Sequence, residues 1–199
     1  MTNNKNVPFT TGAGRAVYPS LTQLDTKFDA EGIYKVDLVM SVEESKPLRD
    51  KIDKYLKHYV SQVSEKTGKK QDASKFRVPY ELNDDGTYTV KLKQSGVING
   101  DSVKLVFYDA KGKRIKELSK LYGGSTIKVA GTMRGYVNGA NKGVTLGIYA
   151  VQVINLVDTY ERDAEDFGFT AVDGFEFSEE GAENHFSAST SDDAEDFDF

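Results

Sequence analysis

From Asp158 onward the chain carries no Leu and no Ile, and Val172 is its sole branched aliphatic residue. A segment so poor in apolar side chains cannot bury enough surface to offset the entropy of ordering its backbone. Residues 158–199 are therefore expected to form a disordered tail, and residues 1–157 to carry the fold. The two parts also differ in charge. The tail holds 15 Asp and Glu against one base, Arg162, a net of −14; from totals of 31 acids and 26 bases, 16 acids and 25 bases remain in residues 1–157, a net of +9. The overall charge of −5 describes neither part. An asymmetry of this size suits a nucleic-acid-binding body with an acidic interaction tail, and equally a solvated domain with a solubilising one.

Among 199 residues there is no cysteine and there are only two histidines, His58 and His185. That excludes a disulfide scaffold, thiolate zinc sites and cysteine nucleophiles, and two histidines so far apart in sequence do not predict an imidazole-rich metal site. No apolar run approaches 18 residues, so no transmembrane helix is expected, and Met1–Phe9 lacks a signal-peptide core. Gly12-Ala13-Gly14 lacks the rest of a dinucleotide fingerprint, and no Walker A or His-Glu-x-x-His sequence occurs. Asp84-Asp85 falls in a turn. The expectation is a non-enzyme with no catalytic residues, no metal and no cofactor.

The remaining pattern is mostly that of strands. Residues 1–12 lack periodicity and read as frayed. Arg15–Tyr18 reads as a short strand stopped by Pro19, and Ile33–Met40 alternates Tyr34, Val36, Leu38 and Met40 with Lys35 and Asp37. Leu48, Ile52, Tyr55, Leu56, Tyr59 and Val63 then recur at helical spacing, predicting a helix over about 44–66 with Ser41 or Ser45 as cap and Gly68 as its end. Lys69–Ser74 reads as a mobile basic loop. Further strands are predicted at Tyr88–Lys93, Val103–Tyr108 with a hairpin return at Arg114-Ile115, Thr126–Val137, and Val144–Val157, the last buried on both faces. These elements predict a mainly β fold: an OB-fold-like antiparallel barrel with one inserted helix, a β-sandwich being the alternative.

Strand alternation places one set of side chains outward: Lys35, Lys91, Lys93, Lys104, Tyr108, Lys128, Arg134 and Tyr136, with Tyr149 ambiguous. Hairpin tips add Lys111, Lys113, Arg114 and Lys116, and Lys142. Cations interleaved with tyrosines suit a single nucleic-acid strand, whose phosphates take the charge while its splayed bases stack on rings. A lysine-rich solvent face with half-packed tyrosines is the plainer alternative. The candidate set for binding a single nucleic-acid strand is Lys35, Lys91, Lys93, Lys104, Tyr108, Lys113, Arg114, Lys128, Arg134, Tyr136 and Tyr149.

The tail is not plain either. It holds seven of the eleven phenylalanines, and Asp163-Ala-Glu-Asp-Phe-Gly-Phe169 is echoed by Asp193-Ala-Glu-Asp-Phe-Asp-Phe199. Solubility needs no phenylalanine. Aromatics among carboxylates suggest a docking peptide, or a mimic of bases strung on phosphates, with Asp196, Phe197, Asp198 and Phe199 as the candidate contacts. A flexible segment of this length spans roughly 35 Å, enough to reach across the body.

Ala16-Val17-Tyr18-Pro19-Ser20-Leu21, Asp25-Thr26-Lys27-Phe28 and Gly32-Ile33-Tyr34-Lys35 resemble the opening of tailed-phage single-stranded DNA-binding proteins. The helix after the second strand, the basic strands and the acidic tail ending in phenylalanine extend the resemblance over essentially the whole chain. It implies an OB-fold that protects single strands in replication, recombination and repair inside an infected bacterium, and a tail that recruits replication proteins. No membrane partner is implied, and homo-oligomers are compatible with it. Bacterial proteins of this function end in Pro-Phe, whereas this chain ends in Asp198-Phe199. An RNA-binding or annealing OB module, a DNA-mimicking interaction protein and a metal-dependent nuclease are the rival readings.

Overall fold

The computed structural model describes residues 6–27, 29–158, 170 and 172–174. The chain divides into one unit through residue 160 and a second from residue 161. All the described helices and strands belong to the first unit.

Its elements run β1 (Val7–Thr10), β2 (Gly14–Asp25) and β3 (Ile33–Met40), then α1 (Val42–Thr67), β4 (Tyr80–Leu82), β5 (Tyr88–Ser95), β6 (Val97–Ile98), β7 (Asp101–Ser102), β8 (Val106–Tyr108), β9 (Arg114–Ile115), β10 (Thr126–Asn138) and β11 (Asn141–Asn155). The main sheet follows the order β4-β5-β3-β2-β10-β11-β8-β9, with β1 added to β10 and β6-β7 standing apart as a small hairpin. The mainly β, OB-like expectation with one inserted helix is borne out. Hydrogen bonding does not close the sheet into a complete barrel, although β11 also packs against β5. One pair departs from the antiparallel expectation: β8 runs parallel to β11, Val106 opposite Ala150.

The core lies between the curved sheet and the first half of α1. Val36, Leu38, Val90, Ile127, Val129, Met133, Leu146, Ile148 and Val151 are fully buried, and Leu48 and Ile52 enter from the helix. Ser41 caps the helix by accepting from the Glu44 amide at 3.1 Å, and Gly68 ends it at φ +64°, a conformation costly for any side chain. Glu44 does not complete a capping box. Its carboxylate accepts from the Ala13 amide at 2.9 Å, pinning the β1–β2 loop to the helix start.

Several expectations need correction. Residues 7–10 are not frayed; they pair with β10, Val7 opposite Met133, a partner more than a hundred residues away. β2 does not stop at Pro19. The pairing with β3 slips between Val17 and Ser20, Tyr18 takes φ +48°, and the irregularity absorbs the missing amide. Residues 69–74 are anchored rather than loose: Asp72 caps a turn at Ala73–Lys75, and Lys142 donates to the Gln71 side chain at 2.7 Å. The strand expected at Val103–Tyr108 begins only at Val106. β11 buries one face, not two, because Val144, Leu146 and Ile148 alternate with half-buried Thr145 and Gly147 and with exposed Tyr149.

Candidate nucleic-acid interface

β10 reads inward and outward with strict alternation. Ile127, Val129, Gly131, Met133 and Gly135 are buried, while Lys128, Ala130, Thr132, Arg134 and Tyr136 lie on the outer face. Their partners on β11 are Gln152, Ala150, Gly147, Thr145 and Gly143. Ala130 opposite Ala150, Thr132 opposite Gly147 and Gly143 opposite Tyr136 leave a shallow floor bounded by cations and rings. From Lys128 to Tyr136 this strip extends about 26 Å at ~3.3 Å per residue.

The β10–β11 register shifts between Ala130 and Gly131, whose partners are Ala150 and Ile148, so Tyr149 is the extra, unpaired residue of a bulge. The bulge settles its ambiguous sequence position. Tyr149 is 47% exposed, and its hydroxyl accepts from Thr132 Oγ1 at 3.2 Å, which fixes it on the outer face midway along the strip.

At one end of the strip the outer side chains of β3 and β5 converge on it. Lys35, Asp37, Arg77, Lys91, Lys93, Tyr136 and Thr145 line a cavity of about 330 Å³. An adjoining hollow shares Lys93, Tyr136 and Thr145 and adds Arg134 and Gln94. Five of the candidate residues, Lys35, Lys91, Lys93, Arg134 and Tyr136, therefore meet in one groove. Lys35 stands directly opposite Lys93 in the β3–β5 register, an arrangement that repels unless an anion intervenes. Asp25 pairs with Lys35, and Glu81 with Lys91 at 3.0 Å. The Lys35 ammonium, with the Lys27 amide, holds the Asp25 carboxyl below its ordinary range. Surface pairs like these are worth little, so a phosphate can displace either carboxylate at small cost.

At the other end Tyr108, Lys128, Gly112, Ala130, Ala150 and Gln152 line a second, more apolar hollow of about 280 Å³. Lys113 and Arg114 are exposed on the β8–β9 hairpin beside it, with Arg114 paired to Tyr108. Lys104 is exposed in the β7–β8 connection and lines neither hollow. Asp196, Phe197, Asp198 and Phe199 lie outside the described residues.

Arg77 is absent from the sequence-derived set. Its amide donates to the Lys142 carbonyl at 2.9 Å and its carbonyl accepts from the Val144 amide at 2.9 Å, so this residue extends the sheet beside β11 and faces the groove. Buried Phe76 beside exposed Arg77 is the available signal, a short alternation hidden by the basic loop before it and Pro79 after it. Asp37, the cavity's single carboxylate among the described residues, also falls outside the pattern of cations and rings. Among the described residues no three His, Asp or Glu side chains converge as metal ligands. No described helix is long and apolar enough to cross a membrane.

The comparisons with known proteins agree with one another. A family model described as single-stranded DNA-binding protein, bacteriophage T7, matches residues 14–156. The single-stranded DNA-binding protein of Enterobacteria phage T3 is 30% identical over 167 residues, covering 70% of this chain and 72% of its own length. A crystal structure of the single-stranded DNA-binding protein encoded by bacteriophage T7 superposes with a TM-score of 0.71 at 24% identity, over 87% of this chain and 100% of that one. The single-stranded DNA-binding protein of bacteriophage Enc34, solved in complex with ssDNA, gives a TM-score of 0.57 at 13% identity, over 81% of this chain and 96% of its own.

Proposed function

This chain belongs to the bacteriophage T7 single-stranded DNA-binding protein family, and from that membership we propose that it binds ssDNA along the outer face of β10–β11 and the groove beside it. The observation that carries the placement is the convergence of Lys35, Arg77, Lys91, Lys93, Arg134 and Tyr136 on one groove, continued by Tyr149 and Lys128 along the same face. Cations take phosphates irrespective of sequence, and tyrosine rings accept any base. Lys113 and Arg114 extend the path past the second hollow; Lys104 adds only long-range attraction. Such a surface binds and protects and performs no bond-making step, so the protein acts as a non-enzyme without cofactor.

In this reading the protein covers single strands exposed during phage DNA replication, recombination and repair in the cytoplasm of the infected bacterium. Residues 1–157 are the DNA-binding domain, and residues 158–199 an interaction tail. The tail, with its charge of −14, competes with DNA for the body's +9. Its terminal Asp196-Phe197-Asp198-Phe199 recruits replication proteins by inserting rings into a partner's pocket. A salt titration of ssDNA binding by full-length and tail-deleted protein tests both parts at once. Affinity must fall with salt, and duplex DNA, whose bases cannot stack on tyrosine, must bind far more weakly; comparable affinity for the two would overturn the assignment.

A further inference from the structure

Asp37 is out of place in a groove for phosphates. It lines the same cavity as Lys35, Arg77, Lys91, Lys93 and Tyr136, and among the described residues it is the cavity's only carboxylate. The ordinary role for such a residue is to neutralise a neighbouring cation, yet Lys91 and Lys35, the two cations whose charge acts on it, are already paired elsewhere. Lys91, directly opposite Asp37 in the β3–β5 register, gives its ammonium to Glu81 at 3.0 Å, and Lys35 gives its own to Asp25. Among the described residues the Asp37 carboxylate accepts no hydrogen bond and forms no ion pair. Burial, reinforced by the nearby Glu81 charge, pushes its carboxyl above the ordinary range despite Lys91 and Lys35. A half-buried, unpartnered acceptor on a cavity wall calls for an N–H donor from whatever fills the cavity.

Resting on the proposed ssDNA reading, we propose that Asp37 reads the edge of a base stacked on Tyr136, so that the groove favours bases with an exocyclic amino group over thymine. A phosphate cannot occupy that position, because two anions would meet. A base can. Tyr136 supplies the ring from the β10 side of the cavity and Asp37 the acceptor from the β3 side. Cytosine N4, adenine N6 and guanine N2 each offer an exocyclic amino group, whereas thymine's one donor, N3–H, lies between two carbonyl oxygens that repel the carboxylate. Binding stays sequence-tolerant elsewhere along the strip, with a modest preference imposed at this point.

The test compares oligo(dC) and oligo(dT) of equal length, titrated by fluorescence anisotropy with the full-length protein at pH 8. The wild type should bind oligo(dC) about 5-fold more tightly than oligo(dT), near the lower end expected for one base-edge contact. Asp37→Asn, which keeps the shape and adds a donor for thymine O4, should bring the ratio below about 2-fold, mainly by tightening oligo(dT). Asp37→Ser should lower the ratio without the gain for oligo(dT), and melting curves confirm that both variants are folded. An unchanged ratio in both folded variants, or equal wild-type affinities, overturns the role of Asp37 while leaving ssDNA binding intact. Failure of the wild type to bind either oligonucleotide overturns the ssDNA reading itself.

Discussion

Tyr59 of α1 packs its ring onto Gly135 of β10 so closely that a Cβ on the glycine would stand 2.3 Å from the ring. The contact fixes the inner side of β10 at the residue between Arg134 and Tyr136, and so sets how both present themselves on the outer side. Gly135→Ala should destabilise the fold by ~1–3 kcal/mol through overpacking and weaken ssDNA binding in parallel. Combining it with Tyr59→Ala should cost less than the two single changes summed, because the clash is then gone. Thermal melts and ssDNA titrations of the four proteins measure both effects.

Arg134 and Tyr136 should separate charge from stacking. Arg134→Ala should flatten the dependence of log affinity on log salt by at most ~0.7, one phosphate contact on a single strand. Tyr136→Ala should cost ~1–3 kcal/mol at every salt concentration, since stacking releases no counterions. Salt titrations that show both variants binding as the wild type does would remove ssDNA from this face.

Glu81 holds Lys91 at 3.0 Å at the groove edge. Glu81→Gln should release that ammonium and tighten ssDNA binding several-fold at low salt, the gain vanishing as salt screens the added charge. The pair is exposed, so stability should change by less than ~1 kcal/mol. Anisotropy titrations at two salt concentrations, with a melt, decide this.

Removing Asp163–Phe199 deletes 13 acids and no base. It should tighten ssDNA binding at low salt, with the gain shrinking as salt rises. Phe197→Ala with Phe199→Ala should leave that competition nearly unchanged and abolish capture of a replication partner. Weaker ssDNA binding after the deletion would make the tail part of the binding site.

Tyr80 donates to Asp53 at 2.6 Å, and its pKa is pushed up to about 12 by burial, with the Asp53 carboxylate adding to the effect. Unfolded tyrosine titrates near 10. Between those values the unfolded chain loses a proton that the folded one keeps, so stability falls as pH rises through this window. The contribution, up to about 2 kcal/mol, is fully present below pH ~10 and gone above ~12. Denaturant melts of Tyr80→Phe should lack this component of the alkaline slope.

What the sequence made legible was whatever depends on neighbours in the chain. The 3.6-residue rhythm from Leu48 to Val63 and the capping signals at Ser41 and Gly68 located α1, observed at Val42–Thr67. Two-residue alternation located β3, β5 and β10, and with them Lys35, Lys91, Lys93, Arg134 and Tyr136. What escaped depends on distant partners. Nothing local in Val7–Thr10 announces Met133–Ala130 as its mate. The outward turn of Tyr149 needs a register slip against β10, and the parallel course of β8 needs β11 already in place. Arg77 joins the groove only because β11 supplies its hydrogen-bond partners. Proline at position 19 looked like an end because alternation carries no information about bulges.

The pairing of β1 with β10 also bears on synthesis. Val7 waits for Met133, 126 residues later (133 − 7), before it has a place in the sheet. At ~5–20 residues per second a ribosome takes roughly 6–25 s to cover that interval. Throughout it Phe9, almost wholly buried in the finished protein, trails from the nascent chain without a partner. The body therefore completes its fold only after β10 has been made, so β1, synthesised well before its partner, is among the last strands to be locked.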